Sequence, residues 1–439
     1  MREDIIAIAA TAISSRVMLR DLFARAVGAV TPENAMPRIL PMSPHGRTVV
    51  IAVGKAAAEM MRVAQSRAPM PLSGMVVTRY GHLPASGASW NGVEVIEAGH
   101  PFPDENSVRA AGRALDIARQ LEAGDRLVVL LSGGGSAALA APVPGVTLAD
   151  KQEMTRALLA SGATIAEINC VRKHLSAIKG GRLAVAAGAA QVTTWIISDI
   201  PGDDPSFVSS GPTVADHTTL EQARDILSKY AIPVAASIVR ALNDSANETP
   251  DPDSLGLAGS ETVIIASARD ALTAAGSLAR DHDYIVTDLG DQLQAEAKHL
   301  GASHAALARR LSRDGARRAI ISGGETTVTV VNPAGRGGRN LEYLLAMAIA
   351  LDAAPGIAAL ACDTDGIDGT EDAAGAMVFP DTLQRATALG LDPKAYLARN
   401  DAYLFFNRLG DLVFTGPTLT NVNDFRVILI DHVDGCAAA

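Results

Sequence analysis

The sequence predicts an α/β protein built from two domains. Short apolar runs typical of buried strands alternate with helical periodicity along most of the 439 residues. Several of these strands run directly into glycine-containing turns, and in open α/β sheets such turns lie at the carboxyl edge, where ligands bind. The chain is long enough for two hydrophobic cores, and a stretch rich in Pro, Asp and Asn at 243–254 supplies a boundary. We therefore predict one domain over 1–245 and a second over 246–439.

The first domain is predicted to hold a parallel sheet of the Rossmann type. Apolar residues at helical spacing over 3–29 predict one or two opening helices. Apolar runs that alternate with helical segments then predict strands at 48–53, 75–78, 93–97, 128–131 and 193–197. Thr147 and Asp150 have the spacing of a capping box, which predicts that a helix begins there. Strands separated by helices favour a parallel arrangement in one sheet.

The second domain is predicted to be an α/β/α structure with a mixed sheet. Strand and helix patterns alternate again, with strands at 262–265, 284–287, 319–321 and 358–361. A further apolar run at 326–331 predicts an additional strand, for which an antiparallel direction stays open.

Composition limits the class of protein. Hydrophobic residues make up 48% of the chain and aromatic residues only 4%, a mixture typical of close-packed α/β enzymes. A formal net charge of −10 argues against nucleic acid as a partner. The longest uncharged stretch, 127–149, is broken by glycines and prolines, which argues against a membrane-spanning helix. Glu3 and Asp4 do not fit an export signal, and the few, scattered cysteines fit neither disulfides nor zinc, so we expect a cytoplasmic protein.

A glycine-rich stretch after the 128–131 strand is the strongest candidate for a binding loop. It reads Ser132-Gly133-Gly134-Gly135-Ser136 and is called the glycine loop below. Glycines let the backbone turn sharply and point several N–H groups into one concavity, which suits phosphate or carboxylate oxygens. Lys55 and Glu325 follow two other strands through similar turns, so together the three turns predict one cleft for an anionic ligand. Taken singly, each turn could equally be an ordinary βα connection.

Two charged segments of the first domain have alternative interpretations. The run at 172–182 is the densest positive segment of an acidic chain, and it is either a solvated helix face or part of the anion site. The loop after the 193–197 strand carries Asp199, Asp203 and Asp204. These carboxylates suit a Mg²⁺ ion that is also held by substrate phosphates, although ordinary Asx turns would use the same residues.

The second domain has a matching pair of charged loops. Arg336 and Arg339 lie in a glycine-rich loop just before a predicted helix that begins near Asn340, and helix N-termini favour anions. Asp365 and Asp368 lie in an acidic glycine loop after the 358–361 strand. Phosphoryl transfer requires such a set of groups: N–H donors for phosphates, carboxylates for Mg²⁺ and fixed positive charge. The chain has neither a Walker A loop nor the protein-kinase motifs.

Motifs along nearly the whole chain match one known family. They lie at 131–136, 173–176, 178–181, 198–205, 209–213, 337–340, 364–366 and 421–424. On these motifs the chain resembles the glycerate 2-kinases of the MOFRL type, which are also labelled glycerate kinase/hydroxypyruvate reductase. The resemblance implies a two-domain α/β enzyme that phosphorylates D-glycerate to 2-phosphoglycerate with ATP and Mg²⁺ in an interdomain cleft. It implies small-molecule partners, with neither nucleic acid nor membrane, and leaves a homodimer open.

The resemblance also implies roles for particular residues. The essential positive charges map to Lys55 and to Arg339 or Arg336. We expect ATP phosphates to bind at Ser132, Gly133, Gly134, Gly135 and Ser136. We expect the substrate to be bound by Lys173, Lys179, Arg182, Glu325 and Asn340. We expect the metal ligands to be Asp199, Asp204 and Asp365.

Two other functions stay as alternatives. A hydroxypyruvate reductase would use NAD(P)H and need a dinucleotide-binding Gly-x-Gly-x-x-Gly turn, which the sequence lacks. A non-catalytic sugar-acid-binding protein would have no use for two acidic loops beside two basic ones. Leu341, Asp363 and Leu419 depart from the family pattern, and these departures concern substrate preference rather than the class of reaction.

Overall fold

The computed structural model describes residues 2–83 and 90–432, and for residues 2–13 it describes the backbone alone. These residues form two compact units, each with its own six-stranded sheet. The parallel unit spans residues 35–266, and the mixed unit combines residues up to 34 with those from 267 onwards. In the described ranges no helix is both long and apolar enough to cross a lipid bilayer.

The strands of the two sheets follow each other in chain order. The parallel unit contains β1 (Thr48–Val53), β2 (Ser73–Arg79), β3 (Val93–Ala98), β4 (Arg126–Leu131), β5 (Gln191–Ile197) and β6 (Glu261–Ala266). The mixed unit contains β7 (Ile285–Asp288), β8 (Arg318–Ser322), β9 (Ile357–Asp363), β10 (Gly375–Val378), β11 (Leu412–Val413) and β12 (Asp424–Ile430).

Helices occupy most of the connections between these strands. The earlier ones are α1 (Arg2–Ala29), α2 (Pro32–Ala35), α3 (Ala57–Arg67), α4 (Glu105–Arg119), α5 (Gly135–Ala138), α6 (Leu148–Ala160), α7 (Ile165–His174), α8 (Arg182–Ala186), α9 (Leu220–Lys229) and α10 (Ala236–Asn243). The later ones are α11 (Ala268–Asp281), α12 (Ala297–Leu311), α13 (Arg339–Leu351), α14 (Thr382–Ala388), α15 (Pro393–Ala398) and α16 (Ala402–Leu409). Short 3₁₀ helices lie at Val208–Ser210, Ser245–Asn247 and Ser312–Asp314.

The first sheet is entirely parallel, with the order β3-β2-β1-β4-β5-β6, so the predicted parallel sheet is confirmed. β4 shows why these strands could be predicted from apolar runs. Its last five residues are all buried, because helices cover both faces of a parallel sheet. A smaller hydrophobic core joins α6, α7, α9 and α10, with Leu158, Val171 and Leu227 among its members. The predicted capping box is present, since Thr147 accepts from the Asp150 N–H at the start of α6.

The second sheet is mixed, as predicted, but the antiparallel strands are not at the predicted place. Its order is β11-β10-β9-β12-β8-β7, and β12 runs antiparallel to both of its neighbours, β9 and β8. The strand predicted at 326–331 is wrong. That segment has one isolated bridge, between Thr327 and Glu296, and Val330 and Val331 are 62% and 65% exposed. Its apolar residues therefore lie on the surface instead of in a sheet.

The division into units differs from the predicted boundary at 245/246 in two places. β6 was expected in the second domain, but it pairs in parallel with β5 and completes the first sheet. α1 was expected in the first domain, but it packs in the mixed unit, where the rings of Phe23 and Phe425 lie 6.0 Å apart and Arg16 pairs with Asp411 at 2.7 Å. Both differences arise from contacts between residues that are distant along the chain.

Candidate active site

The carboxyl ends of β1 and β4 lie side by side where the order of the parallel sheet reverses. In open α/β sheets this reversal leaves a crevice in which ligands bind. The backbone N–H of Lys55 donates to the Gly133 carbonyl at 2.9 Å, and the Ala56 N–H donates to Ser132 Oγ at 3.0 Å. The structure therefore brings the predicted Lys55 turn and the glycine loop together.

Two glycines of this loop are required by close packing. Gly134 has a φ of 83°, and a Cβ there would lie 3.0 Å from His100 Cδ2 and 3.5 Å from Lys55 Cγ. A Cβ at Gly135 would lie 2.1 Å from Ser209 Oγ. Because these glycines have no side chains, three segments of the chain can meet at one point. This is a structural reason for the glycines, in addition to the predicted binding of phosphate by their N–H groups.

Serine hydroxyls line the next part of the site. Ser209 and Ser210 both have positive φ, 52° and 60°, a backbone conformation that non-glycine residues seldom adopt outside functional or tightly packed sites. Ser209 Oγ donates to the Ser132 carbonyl at 3.2 Å, and the Ser210 and Ser136 hydroxyls are 2.8 Å apart. Ser210 Oγ also donates to Asn169 Oδ1 at 3.0 Å.

Three cations from the basic run and from α6 converge on the same place. Lys179 Nζ donates to the Ser136 carbonyl at 2.7 Å and to Ser136 Oγ at 3.1 Å. Arg172 Nη2 donates to Ser136 Oγ at 2.6 Å, and Lys151 Nζ donates to the Leu175 carbonyl at 2.9 Å. Burial, followed by the nearby Arg172, lowers the pKa of both lysines, to about 7 for Lys151 and well below the usual value for Lys179. The run is therefore largely buried rather than a solvated helix face.

The other two predicted substrate residues of this run are engaged within the fold. Lys173 forms a buried ion pair with Asp216 at 3.1 Å. Arg182 donates to four backbone carbonyls, those of residues 173, 179, 247 and 248. Lys173 and Arg182 thus form hydrogen bonds and an ion pair within the fold. The structure does not place them with Lys179 and Arg172 around Ser136.

The predicted metal ligands are dispersed. Asp199 follows β5 at the same edge of the parallel sheet as the glycine loop. Asp204 is exposed and accepts from the Ser206 N–H at 2.8 Å, which is an Asx turn. Across the described ranges, no group of three or more His, Cys, Asp or Glu residues is placed to hold a metal ion. Cys170 and Cys362 are free and buried, and Cys436 lies outside the described residues.

The mixed unit holds a separate charged cluster at one edge of its sheet. Here the carboxyl end of β9 and the amino end of β12 are paired, with Asp363 opposite Asp424. Arg339 at the start of α13 contacts Asp424 through Nε at 2.7 Å, Asp363 through Nη2 at 2.8 Å and Glu325 through Nη1 at 3.0 Å. Burial alone would lower the pKa of Arg339, but these carboxylates raise it well above its ordinary value.

Asn340 and Asp368 complete this cluster at the start of α13. Asp368 accepts from the N–H groups of Asn340 and Leu341 at 3.1 and 2.9 Å, so it caps the helix from another segment of the chain. Burial raises the pKa of Asp368 to about 6. The Asn340 side chain donates to Asp424 at 2.8 Å, while its Oδ1 is buried without a described partner.

Arg336 and Asp365 have different surroundings from Arg339. Arg336 pairs with Glu371 and lies over the Tyr403 ring at 4.2 Å, so its charge is already matched. Asp365 is buried, and its Oδ1 accepts from the Ile367 N–H at 2.9 Å, another Asx turn. In the mixed unit the structure thus places Arg339, Asn340 and Glu325 in one network, with Arg336 in a separate pair.

Sequence reasoning missed several members of both clusters. Arg172 lies in the basic run that the sequence singled out, but nothing local distinguishes it from Lys173. Lys151 looks like a surface residue of an amphipathic helix. Asp363 and Asp424 were visible only as parts of an acidic loop and a family motif. Ser210 lies within the family motif at 209–213, but its positive φ could be found only from the structure.

Comparisons with known proteins agree with this fold. A family model described as a domain of unknown function, DUF4147, matches residues 18–243, and one described as the MOFRL family matches residues 318–424. D-glycerate 2-kinase of Thermotoga maritima is 39% identical over 93% of this chain and 97% of its own length. An Agrobacterium vitis protein, provisionally named hydroxypyruvate reductase, is 49% identical over 95% of each chain.

A solved structure supports the same assignment. The crystal structure of a glycerate kinase from Thermotoga maritima matches with a TM-score of 0.84 and 38% identity, covering 95% of this chain and 99% of that one. Sequence, fold and length therefore agree over nearly the whole chain. The protein belongs to the glycerate 2-kinase family that carries a MOFRL domain.

Proposed function

We propose that this protein transfers the γ-phosphoryl group of ATP to the C2 hydroxyl of D-glycerate, giving 2-phosphoglycerate and ADP. Family membership supports the reaction. One observation in this chain carries the proposal. Lys55 meets the glycine loop where the order of the parallel sheet reverses, and Arg172 and Lys179 donate hydrogen bonds to Ser136 of that loop. A site that concentrates positive charge and N–H donors suits ligands whose reacting groups are a carboxylate and a polyphosphate.

In this proposal the chain's own residues bind and orient the two substrates. The C2 oxygen of glycerate attacks the γ-phosphorus, the bond to the β–γ bridging oxygen breaks so that ADP leaves, and the hydroxyl proton passes to solvent. Lys55 neutralises charge that develops on the transferring phosphoryl group, as fixed cations do in other phosphoryl transferases. Arg339 contributes through Nη1, because its partner there, Glu325, is 47% exposed whereas its other two partners are buried.

The described carboxylates suit a Mg²⁺ ion that binds together with ATP. Among the described residues, no three His, Cys, Asp or Glu side chains form a ready metal site. The ion would therefore be held by one or two carboxylates and by ATP oxygens, which is how Mg²⁺ usually binds with nucleotides. Asp199 is the best-placed carboxylate, because it follows β5 at the edge of the glycine loop. When bound, Mg²⁺ supplies positive charge to the phosphate oxygens.

One coupled assay tests the reaction. Purified protein is incubated with Mg²⁺-ATP and D-glycerate, L-glycerate or hydroxypyruvate, and ADP release is followed. Enolase converts 2-phosphoglycerate directly, whereas 3-phosphoglycerate first requires a mutase, so adding enolase with and without mutase identifies the product. ADP release with D-glycerate and direct enolase turnover are expected. Absence of ADP release with every acceptor would reject the kinase and favour a non-catalytic sugar-acid-binding protein.

The reductase alternative has one structural feature in its favour. The order β3-β2-β1-β4-β5-β6 is that of dinucleotide-binding sheets. However, the first βα turn of such sheets needs glycines that let the pyrophosphate approach the backbone. Here the turn continues as Gly54, Lys55 and Ala56, with a charged side chain and a methyl group instead. Incubation with hydroxypyruvate and NADH or NADPH decides the point, and nucleotide oxidation at a rate similar to ADP release would favour the reductase.

A further inference from the structure

We infer that Lys151, Arg172 and Lys179, together with the hydroxyls of Ser136 and Ser210, form a binding pocket for one small oxyanion, either a carboxylate or a phosphate. The family resemblance assigned the glycine loop to ATP phosphates and Lys179 to the substrate. The structure joins Lys179 to Ser136 and adds two cations that had no assigned role. The pocket therefore replaces two separate predictions with one site.

The hydrogen bonds show that the pocket is organised around Ser136. Its Oγ lies within hydrogen-bond distance of Lys179 Nζ, Arg172 Nη2 and Ser210 Oγ, at 3.1, 2.6 and 2.8 Å. Ser210 is in turn held by Asn169 at 3.0 Å. Arg172 Nε is buried and has no described hydrogen-bond partner. A buried guanidinium donor without an acceptor is costly, and an oxyanion would satisfy it.

The charges of the pocket are not balanced by carboxylates. Lys151 and Lys179 are 4% and 1% exposed, and the hydrogen bonds described for both lysines and for Arg172 go only to neutral oxygens. In the described part of the chain none of the three forms an ion pair. Lys173, the residue directly after Arg172 in the same run, is buried with a counter-charge, because Asp216 lies 3.1 Å from it. Burying charge without a counter-charge is unfavourable for the unliganded protein, so an incoming anion gains what the fold lacks.

The titration behaviour of the cluster agrees with this geometry. Burial and the neighbouring cations lower the pKa of Lys151, and burial lowers that of Arg172 to about 10. No carboxylate opposes the lowering at Lys151, Lys179 or Arg172, whereas Asp216 and Glu248 partly oppose it at Arg182. Within α6 and the basic run, this imbalance lies at Lys151, Arg172 and Lys179.

The identity of the anion rests on the proposed function, but its chemistry does not. D-glycerate offers a carboxylate and ATP offers phosphates, and both groups are planar or tetrahedral sets of oxygens that two lysines and an arginine can surround. The pocket itself can be tested with sulfate, which does not titrate near neutral pH and needs no turnover.

The test uses Lys179→Met and Arg172→Met, with Arg156→Gln as a matched control. Arg156 lies on α6 like Lys151 but is exposed, so the control removes one charge without touching the pocket. Thermal unfolding of the full chain is followed with low millimolar sulfate at ionic strength fixed with chloride. Sulfate should raise the Tm of the wild type and of Arg156→Gln, and this shift should be lost in both pocket variants. Without ligand, Lys179→Met should unfold at the wild-type temperature or above it, because an unbalanced buried charge is removed.

Steady-state kinetics then identify the source of the anion. Loss of one charged hydrogen bond should raise one KM by about 10- to 150-fold. A rise confined to the KM for D-glycerate places the carboxylate in the pocket, and a rise confined to the KM for ATP places a phosphate there.

If both pocket variants keep the wild-type sulfate shift, or keep both KM values within twofold, the pocket is rejected even though the kinase assignment stands. If the wild type has no kinase activity but shows the sulfate shift that the variants lose, the pocket stands and the proposed function falls. Arg172→Met, at a half-buried position, decides the matter should Lys179→Met not fold.

Discussion

The two units bury positive charge in opposite ways. In the mixed unit Arg339 contacts Asp363, Asp424 and Glu325, so each arm of its guanidinium meets a carboxylate. In the parallel unit Lys179 is more deeply buried, yet it contacts only the carbonyl and hydroxyl of Ser136. The first arrangement is complete without a ligand, and the second is not.

This difference separates a cation that holds the fold from one that awaits a partner. A buried charge with its counter-charge present resists removal of either member, whereas a buried charge without one is a cost that binding can offset. Substitutions in the two clusters should therefore have opposite effects on stability. Lys55, which is half-buried at the edge of the parallel sheet, is a third case, because the proposed function gives it a catalytic role.

The largest effect is expected from breaking the balanced cluster. Asp424 is fully buried and contacts Arg339, Asn340 and Arg426. Asp424→Asn should lower the free energy of unfolding by about 3–5 kcal/mol, because the buried Arg426 and the partly buried Arg339 lose their shared carboxylate. Urea unfolding measures the change, with Asp352→Asn at an exposed position of the same unit as the control. A loss below about 1 kcal/mol would show that Arg339 does not depend on its carboxylates.

The next largest effect concerns catalysis at the parallel sheet. Lys55→Ala should lower kcat/KM by a factor on the order of 10³, since a fixed cation near the transferring phosphoryl group acts mainly in the transition state. Lys229→Ala removes an exposed lysine of the same unit and should leave kcat/KM unchanged. Activity is measured as ADP release with D-glycerate. Retention of more than about half of the wild-type activity in Lys55→Ala would make it a surface residue of an ordinary βα turn.

The affinity of the Lys151, Arg172 and Lys179 cluster for sulfate should depend on pH. Lys151 faces Arg172 and Arg182, and Lys179 is also close enough to be affected by its charge. Because its pKa in the folded protein is about 7, binding of sulfate above pH 7 must be coupled to proton uptake. Sulfate affinity should therefore fall as pH rises above 7, by up to about tenfold per pH unit for one proton. Calorimetry in buffers of different ionisation enthalpy measures the proton uptake, and an affinity that is constant from pH 7 to 9 would contradict it.

The sign of the stability change checks the same residue independently. The folded protein holds fewer protons on Lys151 than the unfolded chain between pH 7 and the ordinary lysine pKa of 10.5. The stability of the wild type relative to Lys151→Met should therefore increase as pH rises through that window. No such trend should appear for the Arg156→Gln control.

The contrast between the clusters also explains how far the sequence could be interpreted. The strands of the parallel sheet were predictable because burial on both faces leaves an uninterrupted apolar run, as in β4. β6 is an edge strand in which only the last residue is fully buried, and nothing within its six residues states which sheet it joins. The insertion of β12 between β8 and β9 depends on pairings more than 60 residues apart in sequence, which no local period records.

In the candidate site, too, features set by local sequence were predictable, whereas contacts between distant segments were not. The glycine loop and the Lys55 turn were predictable because their backbone requirements are local. Lys173 and Lys179 are six residues apart in one basic run, yet only Lys173 meets a carboxylate, and Asp216 comes from a distant loop. Arg339 was predicted as a functional cation, whereas its neutralising partners on β9 and β12 became visible only in the structure.

The smallest expected effect tests which arm of Arg339 is available. Glu325 is 47% exposed, whereas the side chains of Asp363 and Asp424 are 5% and 0% exposed. An exposed ion pair contributes little, so Glu325→Gln should change the free energy of unfolding by less than about 1 kcal/mol.

The same substitution has a kinetic consequence. The amide of Gln can still accept a hydrogen bond from Arg339 Nη1, but the amide binds Nη1 less tightly than a carboxylate does. If Nη1 moves to a phosphate oxygen during turnover, this substitution should therefore leave the KM for ATP unchanged or lower it. Urea unfolding and steady-state kinetics on one protein preparation measure both quantities. A loss of stability as large as that of Asp424→Asn would mean that the exposed arm is as much a part of the fold as the buried ones, and a large increase in the KM for ATP would instead assign Glu325 itself to nucleotide binding.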